Sequence, residues 1–317
     1  MKSIVAIVAF LGLVVLAVCR ASTSREADWL LYKTQFGKCY INLQEDSMRK
    51  AIYTRNKAQV EKHNLLHARQ LGYSKGINQF SDWTEDELNN LKDVQKPPSF
   101  NNSAKAEEFL RTLLNDDEPI PDQLDWRNRT GVVGPVKDSG KCGCSWAMAT
   151  TGLLEGQELK QHRASKLIPL SDQELLDCSP KNNGCRGGNM IMALEDISDL
   201  AGIQDEDSYP FMFRKSENCR ADRSRVVIET KGPASSKLSE SDLKRVVARY
   251  GPVSVGFFAS ANFFTYSSGI FADESCPNND DYNRAGVIVG YGTDKQDYWI
   301  LVSTHPYNVA PCFAGFS

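Results

Sequence analysis

Nine cysteines and only four histidines, His63, His67, His162 and His305, limit the chemistry open to this 317-residue chain. The stretch best placed for nucleophilic chemistry is Cys142-Gly143-Cys144-Ser145-Trp146, where a thiol and a hydroxyl stand side by side at the start of a helix-forming run. A serine hydroxyl is hardly ionised near neutral pH and needs a general base. A thiol, with an ordinary pKa near 8.5, needs less help. The usual helper is an imidazole within hydrogen-bonding reach. His162, among Gln161, Arg163 and Lys166, reads as a solvated helix end, and His305, followed at once by Pro306, reads as a loop residue. No metal and no cofactor is expected.

The composition, 41% hydrophobic and 24% charged, is that of an ordinary globular protein of about two domains. A net charge of −3 without Lys/Arg runs points away from nucleic acid and from polybasic membrane attachment, and a monomer is expected. Residues 1–21 read as a secretory signal peptide. Lys2 precedes an apolar run from Ile4 to Val18, and Cys19-Arg20-Ala21 offers a cleavage site. That run is shorter than the roughly 20 residues of a spanning helix, so no membrane association is expected once it is removed. The secretory route ends outside the cell or in lysosomes, where cysteines pair. Asn101 and Asn128 head glycan acceptor triplets that such a route would use.

Three zones follow. Residues 22–95 are helical, charged and free of proline, with a long helix over 45–70 whose apolar stripe is Ile52, Val60, Leu65 and Leu66. Residues 96–119, with Pro97-Pro98 and Asn115-Asp116-Asp117-Glu118-Pro119, form a protease-accessible connector. Residues 120–317 are α+β. Helices are expected over 145–161, after the capping sequence Ser171-Asp172-Gln173-Glu174, and over 239–249. Strands are expected over 253–258, 286–291 and 298–303, the last two paired around a turn at 292–296. Helices early and strands late imply two halves with a cleft between them.

Ordered motifs run along the chain. In the first zone these are Glu45, Arg49, Tyr53, Asn56, Val60 and Asn64, then Gly76-Ile77-Asn78-Gln79-Phe80-Ser81-Asp82. In the last zone they are Asp125-Trp126-Arg127, the loop from Cys142 to Trp146, Leu170-Ser171 to Cys178, Cys185-Arg186-Gly187-Gly188 and Val289-Gly290-Tyr291-Gly292. Together they resemble a papain-family, cathepsin L-like cysteine peptidase precursor, with residues 142–146 as its nucleophile loop. The resemblance implies a helical half, a sheet or barrel half, and a helical inhibitory prodomain. It implies the bridges Cys142–Cys185, Cys178–Cys219 and Cys276–Cys312. It makes Gly187 and Gly188 the loop that meets a substrate backbone, and Met190 and Ala259 lining of the main specificity pocket.

Against that pattern the chemistry has changed at four positions. Ser145 stands at the nucleophile, Ser139 at the oxyanion glutamine, Arg284 at the histidine and Ser303 at the orienting asparagine. A guanidinium keeps its proton and offers no acceptor, so Arg284 cannot serve as a base. Losing a general base costs about 100- to 10,000-fold, and losing an oxyanion donor roughly another 100- to 1,000-fold. The chain also ends soon after Ser303 and is expected to be shortened at its C-terminus. These changes predict a papain-fold pseudoenzyme that keeps a cleft for a peptide or protein ligand. The alternatives are a weak hydrolase using Cys144 or Ser145, and a prodomain that inhibits related cysteine peptidases.

Overall fold

The computed structural model describes residues 26–89, 91–96, 107–108, 110–112, 115, 118–129, 131–161, 165–230, 232–233, 238–272 and 282–303, and the backbone of 306–309. The expected signal peptide, Asn101, His162, Cys276, His305 and Cys312 lie outside the described residues.

The N-terminal unit is built on two helices, α1 over 26–35 and α2 over Leu43–Leu66. The Asn42 side chain accepts the Glu45 N–H at 2.9 Å and so starts α2. The helices meet through aromatic rings, with Tyr53 4.5 Å from Tyr32 and 5.4 Å from Trp29 between centroids. Leu65 and Leu66, expected to face inward, are instead 83% and 57% exposed. The buried face of α2 is Arg49, Tyr53, Val60 and His63. Its partners are rings and polar backbone rather than aliphatic chains: Arg49 donates to the Asp82 carbonyl at 3.1 Å and to Glu87 at 2.7 Å, and His63 Nε2 donates to the Tyr73 carbonyl at 3.1 Å.

After a single turn, α3 (Ala68–Leu71), Gly72 reverses the chain at φ +79° into β1 (Tyr73–Lys75). β1 and the loop behind it fasten this unit to the rest of the chain. Short helix α4 (Glu85–Asn89) follows. The chain then enters the larger unit through β2 (Leu124–Asp125).

In the larger unit, α5 (Ser145–Lys160) is the central helix, buried over Ser145–Thr151 and again at Leu154–Gly156. Around it lie α6 (Asp172–Cys178) and α7 (Met190–Asp199), the short pair β3 (Ile203–Gln204) and β4 (Val226–Ile228), and α8 (Glu240–Tyr250). Ser171 caps α6 by accepting the Glu174 N–H at 2.9 Å, but the box is only half made. The Glu174 carboxylate turns away to take the Gln204 N–H at 2.8 Å.

The second half is a sheet of β5 (Val253–Phe257), β7 (Arg284–Asp294), β8 (Gln296–Val302) and β9 (Pro306–Val309), with β2 on its edge and β7 at its centre. Lys295 alone, at φ +59°, turns β7 into β8. β6 (Tyr266–Gly269) stands outside this sheet and pairs antiparallel with β1 of the N-terminal unit. Disulfides join Cys142 to Cys185 and Cys178 to Cys219, as expected. The helix-plus-sheet division expected from the sequence is thus the observed α+β architecture.

Candidate functional site

Ser145 is the first residue of α5, so its backbone N–H points out of the helix end without an intrahelical acceptor, where the helix dipole favours negative charge. Arg284 opens β7 on the facing half and is fully buried. The two positions are joined, because the Ala285 N–H donates to Ser145 Oγ at 2.9 Å. Ser303, near the end of β8, donates its hydroxyl to the Ala285 carbonyl at 3.0 Å. Ser139 is buried beside the nucleophile loop, with its carbonyl taking the Cys142 N–H at 3.0 Å. Ser145, Arg284 and Ser303 therefore converge between α5 and β7, with Ser139 on the loop leading into α5.

The cleft at this point is filled by residues 91–95 of the N-terminal unit. The Gly188 N–H donates to the Asp93 carbonyl at 2.9 Å, and the Gln95 N–H to the Gly188 carbonyl at 2.8 Å. Val94 bridges Gly188 in parallel register, and its N–H reaches the Asn283 carbonyl on the opposite wall at 3.3 Å. Asn189 holds the Gln95 carbonyl at 2.7 Å. Gly187 sits at φ +105°, and a Cβ there would lie 2.6 Å from the Asp93 carbonyl oxygen. A side chain at this point would collide with the strand it holds. Met190 and Ala259 are both buried, the first opening α7 and the second donating its N–H to Asn283 Oδ1 at 2.8 Å.

Asp93 is the residue that sequence reasoning missed. Its carboxylate accepts the Ser145 N–H at 2.5 Å on one oxygen and the Ser145 hydroxyl on the other. Burial pushes its carboxyl up from the usual range, while the Arg284 charge and the two Ser145 donors pull the other way. Arg284 itself donates to the Leu91 carbonyl at 2.8 Å and lies over the Phe264 ring, 5.6 Å from its centroid. One signal could have pointed to Asp93: a cation placed deep in a cleft calls for an anion nearby.

Cys144 does not face this cleft. It is the α5 N-cap, fully buried, and burial together with the Asp93 charge pushes its thiol well up. The one-residue offset from Ser145 turns it into the core, which contradicts its use as a nucleophile. Iodoacetamide should leave Cys144 unmodified in the native chain while labelling exposed Cys39, as read by peptide mass mapping. Rapid native labelling of Cys144 would contradict this placement. An apolar cavity lies behind Ser145, lined by Val132, Val133, Met148, Ala149, Val287 and Val302. The one carboxylate on its wall, Glu155, is committed to Lys137 at 2.9 Å and to the Leu170 N–H at 2.8 Å.

The N-terminal unit is fastened to both sides of the cleft. β1 pairs with β6, Asn78 donates to the Phe264 carbonyl at 2.6 Å, and Glu87 meets Lys141 of the nucleophile loop at 3.0 Å. Acid acts on the N-terminal unit through two of its buried groups. Burial holds His63 neutral, below its ordinary value, so its contribution is complete above about 6.5 and declines as pH falls below that. Burial would raise the Glu87 carboxyl, but hydrogen bonds from Arg49, the Thr84 N–H and Lys141 outweigh it and hold it at about 2. Its contribution is therefore full above about 4.5 and lost from there down to about 2. Asp93, shifted upward, binds its proton more tightly when docked and works against both. The melting temperature of the intact chain should therefore fall in two steps, below pH 6.5 and again below 4.5. His63→Gln, which preserves a donor to Tyr73, should flatten the upper step, and an unchanged upper step would contradict the assignment.

A helical half and a sheet half, with a nucleophile-type helix start between them and an N-terminal helical unit laid through the cleft, define a propeptide-bearing peptidase scaffold. The chain belongs to the papain family of cysteine proteases. Residues 120–304 match "Papain family cysteine protease" and residues 29–88 match "Cathepsin propeptide inhibitor domain (I29)". It is 35% identical over 290 residues to cathepsin K of Mus musculus, covering 87% of this chain and 83% of that one. It is 34% identical over 311 residues to cathepsin L of Sarcophaga peregrina, covering 93% and 88%. The fold matches the structure of digestive procathepsin L2 proteinase from Tenebrio molitor larval midgut with a TM-score of 0.81. There the identity is 30%, with 92% of this chain and 98% of that chain covered. Among the described residues no helix is long and apolar enough to cross a membrane.

Proposed function

We propose that this chain is a papain-family pseudoprotease, made as a proprotein, that holds an extended peptide in its cleft without cutting it. The observation that carries this reading is Arg284, a permanently protonated group buried beside Ser145 at the position the family gives to its histidine. Asp93 could in principle accept the Ser145 proton, but it belongs to the segment that fills the cleft. A substrate could enter only after that base had left. Retained binding is supported by the pairing of Gly188 with residues 93–95, which is the backbone grip a bound peptide would receive.

The test is to cleave the connector, remove residues 22–95, and assay fluorogenic peptides with and without a thiol-directed epoxide inhibitor. Background turnover insensitive to the inhibitor is the expected result. Inhibitor-sensitive turnover abolished by Cys144→Ala would overturn the reading in favour of an altered peptidase. The prodomain as inhibitor of related peptidases is disfavoured by Asp93, whose carboxylate would meet a thiolate in an active relative. We further read the chain as a secretory-route monomer, extracellular or lysosomal. The exposed Asn128 supports glycosylation there, and an N-glycosidase mobility shift lost in Asn128→Gln tests it.

A further inference from the structure

We infer that the centre left by the lost catalytic residues is a carboxyl-binding site, filled in cis by Asp93, that accepts the aspartate side chain of an extended peptide once the N-terminal unit leaves. This rests on the pseudoprotease reading and names the ligand chemistry of the same cleft. Three features build the site. The Ser145 N–H lies at 2.5 Å from one carboxylate oxygen at the end of a 16-residue helix, where the backbone dipole favours an anion. The Ser145 hydroxyl is oriented by the Ala285 N–H behind it, so its own hydrogen is free to point at the other oxygen. The buried Arg284 guanidinium adds positive charge on the far wall.

The occupant itself is the independent observation. Asp93 is 4% exposed and is presented by backbone pairing on both flanks, through Gly188 on one wall and Asn283 on the other. That pairing involves main-chain atoms only, so any extended peptide could make it. Choice among peptides falls to the side chain at the Asp93 position, and the groups facing it are two donors and a cation. A carboxyl group satisfies them, whereas an apolar side chain would leave the Ser145 N–H and hydroxyl buried without acceptors.

Chemical rescue tests the site in the full chain. Asp93→Ala removes the carboxyl, and sodium acetate is the probe. Acetate at about ten times its dissociation constant should raise the Asp93→Ala melting temperature by about 2–4 °C, with sodium chloride at equal ionic strength and the wild-type chain as controls showing no such rise. Acetate should lose this effect in Asp93→Ala/Arg284→Leu. A rise equal to that given by chloride, or equal in the wild type, overturns the proposal.

If Asp93→Ala does not fold, the wild-type chain cleaved in the connector is used instead. A labelled peptide of residues 88–96 is allowed to exchange with the N-terminal unit. The peptide should bind at least about tenfold tighter with aspartate at its 93 position than with alanine. Equal binding overturns the proposal. Neither arm measures turnover, so hydrolysis found in the enzymatic assay would remove the pseudoprotease reading without altering these results, and the reverse also holds.

Discussion

Ser145→Cys combined with Arg284→His should produce peptide hydrolysis, after connector cleavage and removal of the N-terminal unit, at least about 100-fold above either single variant. The geometry supports this, because the Ala285 N–H touches Ser145 Oγ at 2.9 Å. A side chain on residue 284 therefore starts within one residue of the nucleophile position. Either change alone leaves half a pair. A thiol beside Arg284 has a cation to favour its thiolate but no group to protonate the leaving amine. A hydroxyl beside an imidazole has its base but is far harder to ionise than a thiol near neutral pH. Ser303 already anchors its side chain on the Ala285 carbonyl, so Ser303→Asn added third should increase the rate further by orienting the ring. The turnover should be sensitive to iodoacetamide. A double variant no faster than the singles would show that the two positions do not face each other productively.

The second large effect concerns the grip on the cleft segment. Gly187→Ala should destabilise the intact chain by about 2–5 kcal/mol, from two sources. The backbone at φ +105° disfavours a side chain by about 1–2 kcal/mol, and overpacking against the Asp93 carbonyl adds about 1–3. The two are separable. Backbone strain persists after residues 22–95 are removed, whereas the collision with Asp93 disappears with them. The N-terminal unit should therefore leave the cleaved variant faster than the cleaved wild type, at a rate measurable by size exclusion. Equal release rates with a lowered melting temperature would confine Gly187 to a conformational role.

Much of the scaffold was legible because its signals are local. Ser171 and Ser239 cap the helices that follow them, Pro252 marks the entry to β5, and short continuous apolar runs locate β7 and β8. The strands run longer than expected because Lys295 makes the turn by itself. The stripe on α2 was misread at Leu65 and Leu66 because the surface opposite is aromatic and polar, and it selected Arg49, Tyr53 and His63 instead. The four positions read as changed could be singled out from sequence because they sit inside recognisable motifs. Asp93 does not stand out within its own segment, since a lone aspartate in Leu91-Lys92-Asp93-Val94 looks like any solvated charge, and only the need of Arg284 for an anion hints at it. Its role exists only once β1 pairs with β6 and the intervening chain is drawn across the cleft, some fifty residues from Ser145.

The account turns on whether Ser145 can be made to attack. The most direct measurement is kcat/KM for a fluorogenic peptide, across pH 4–8, of the wild-type chain freed of its N-terminal unit, beside Ser145→Ala prepared identically. Identical values at the uncatalysed background are predicted for both at every pH. Turnover well above background in the wild type that vanishes in Ser145→Ala would mean that a proton acceptor serves this serine after all, and the pseudoprotease reading would fail.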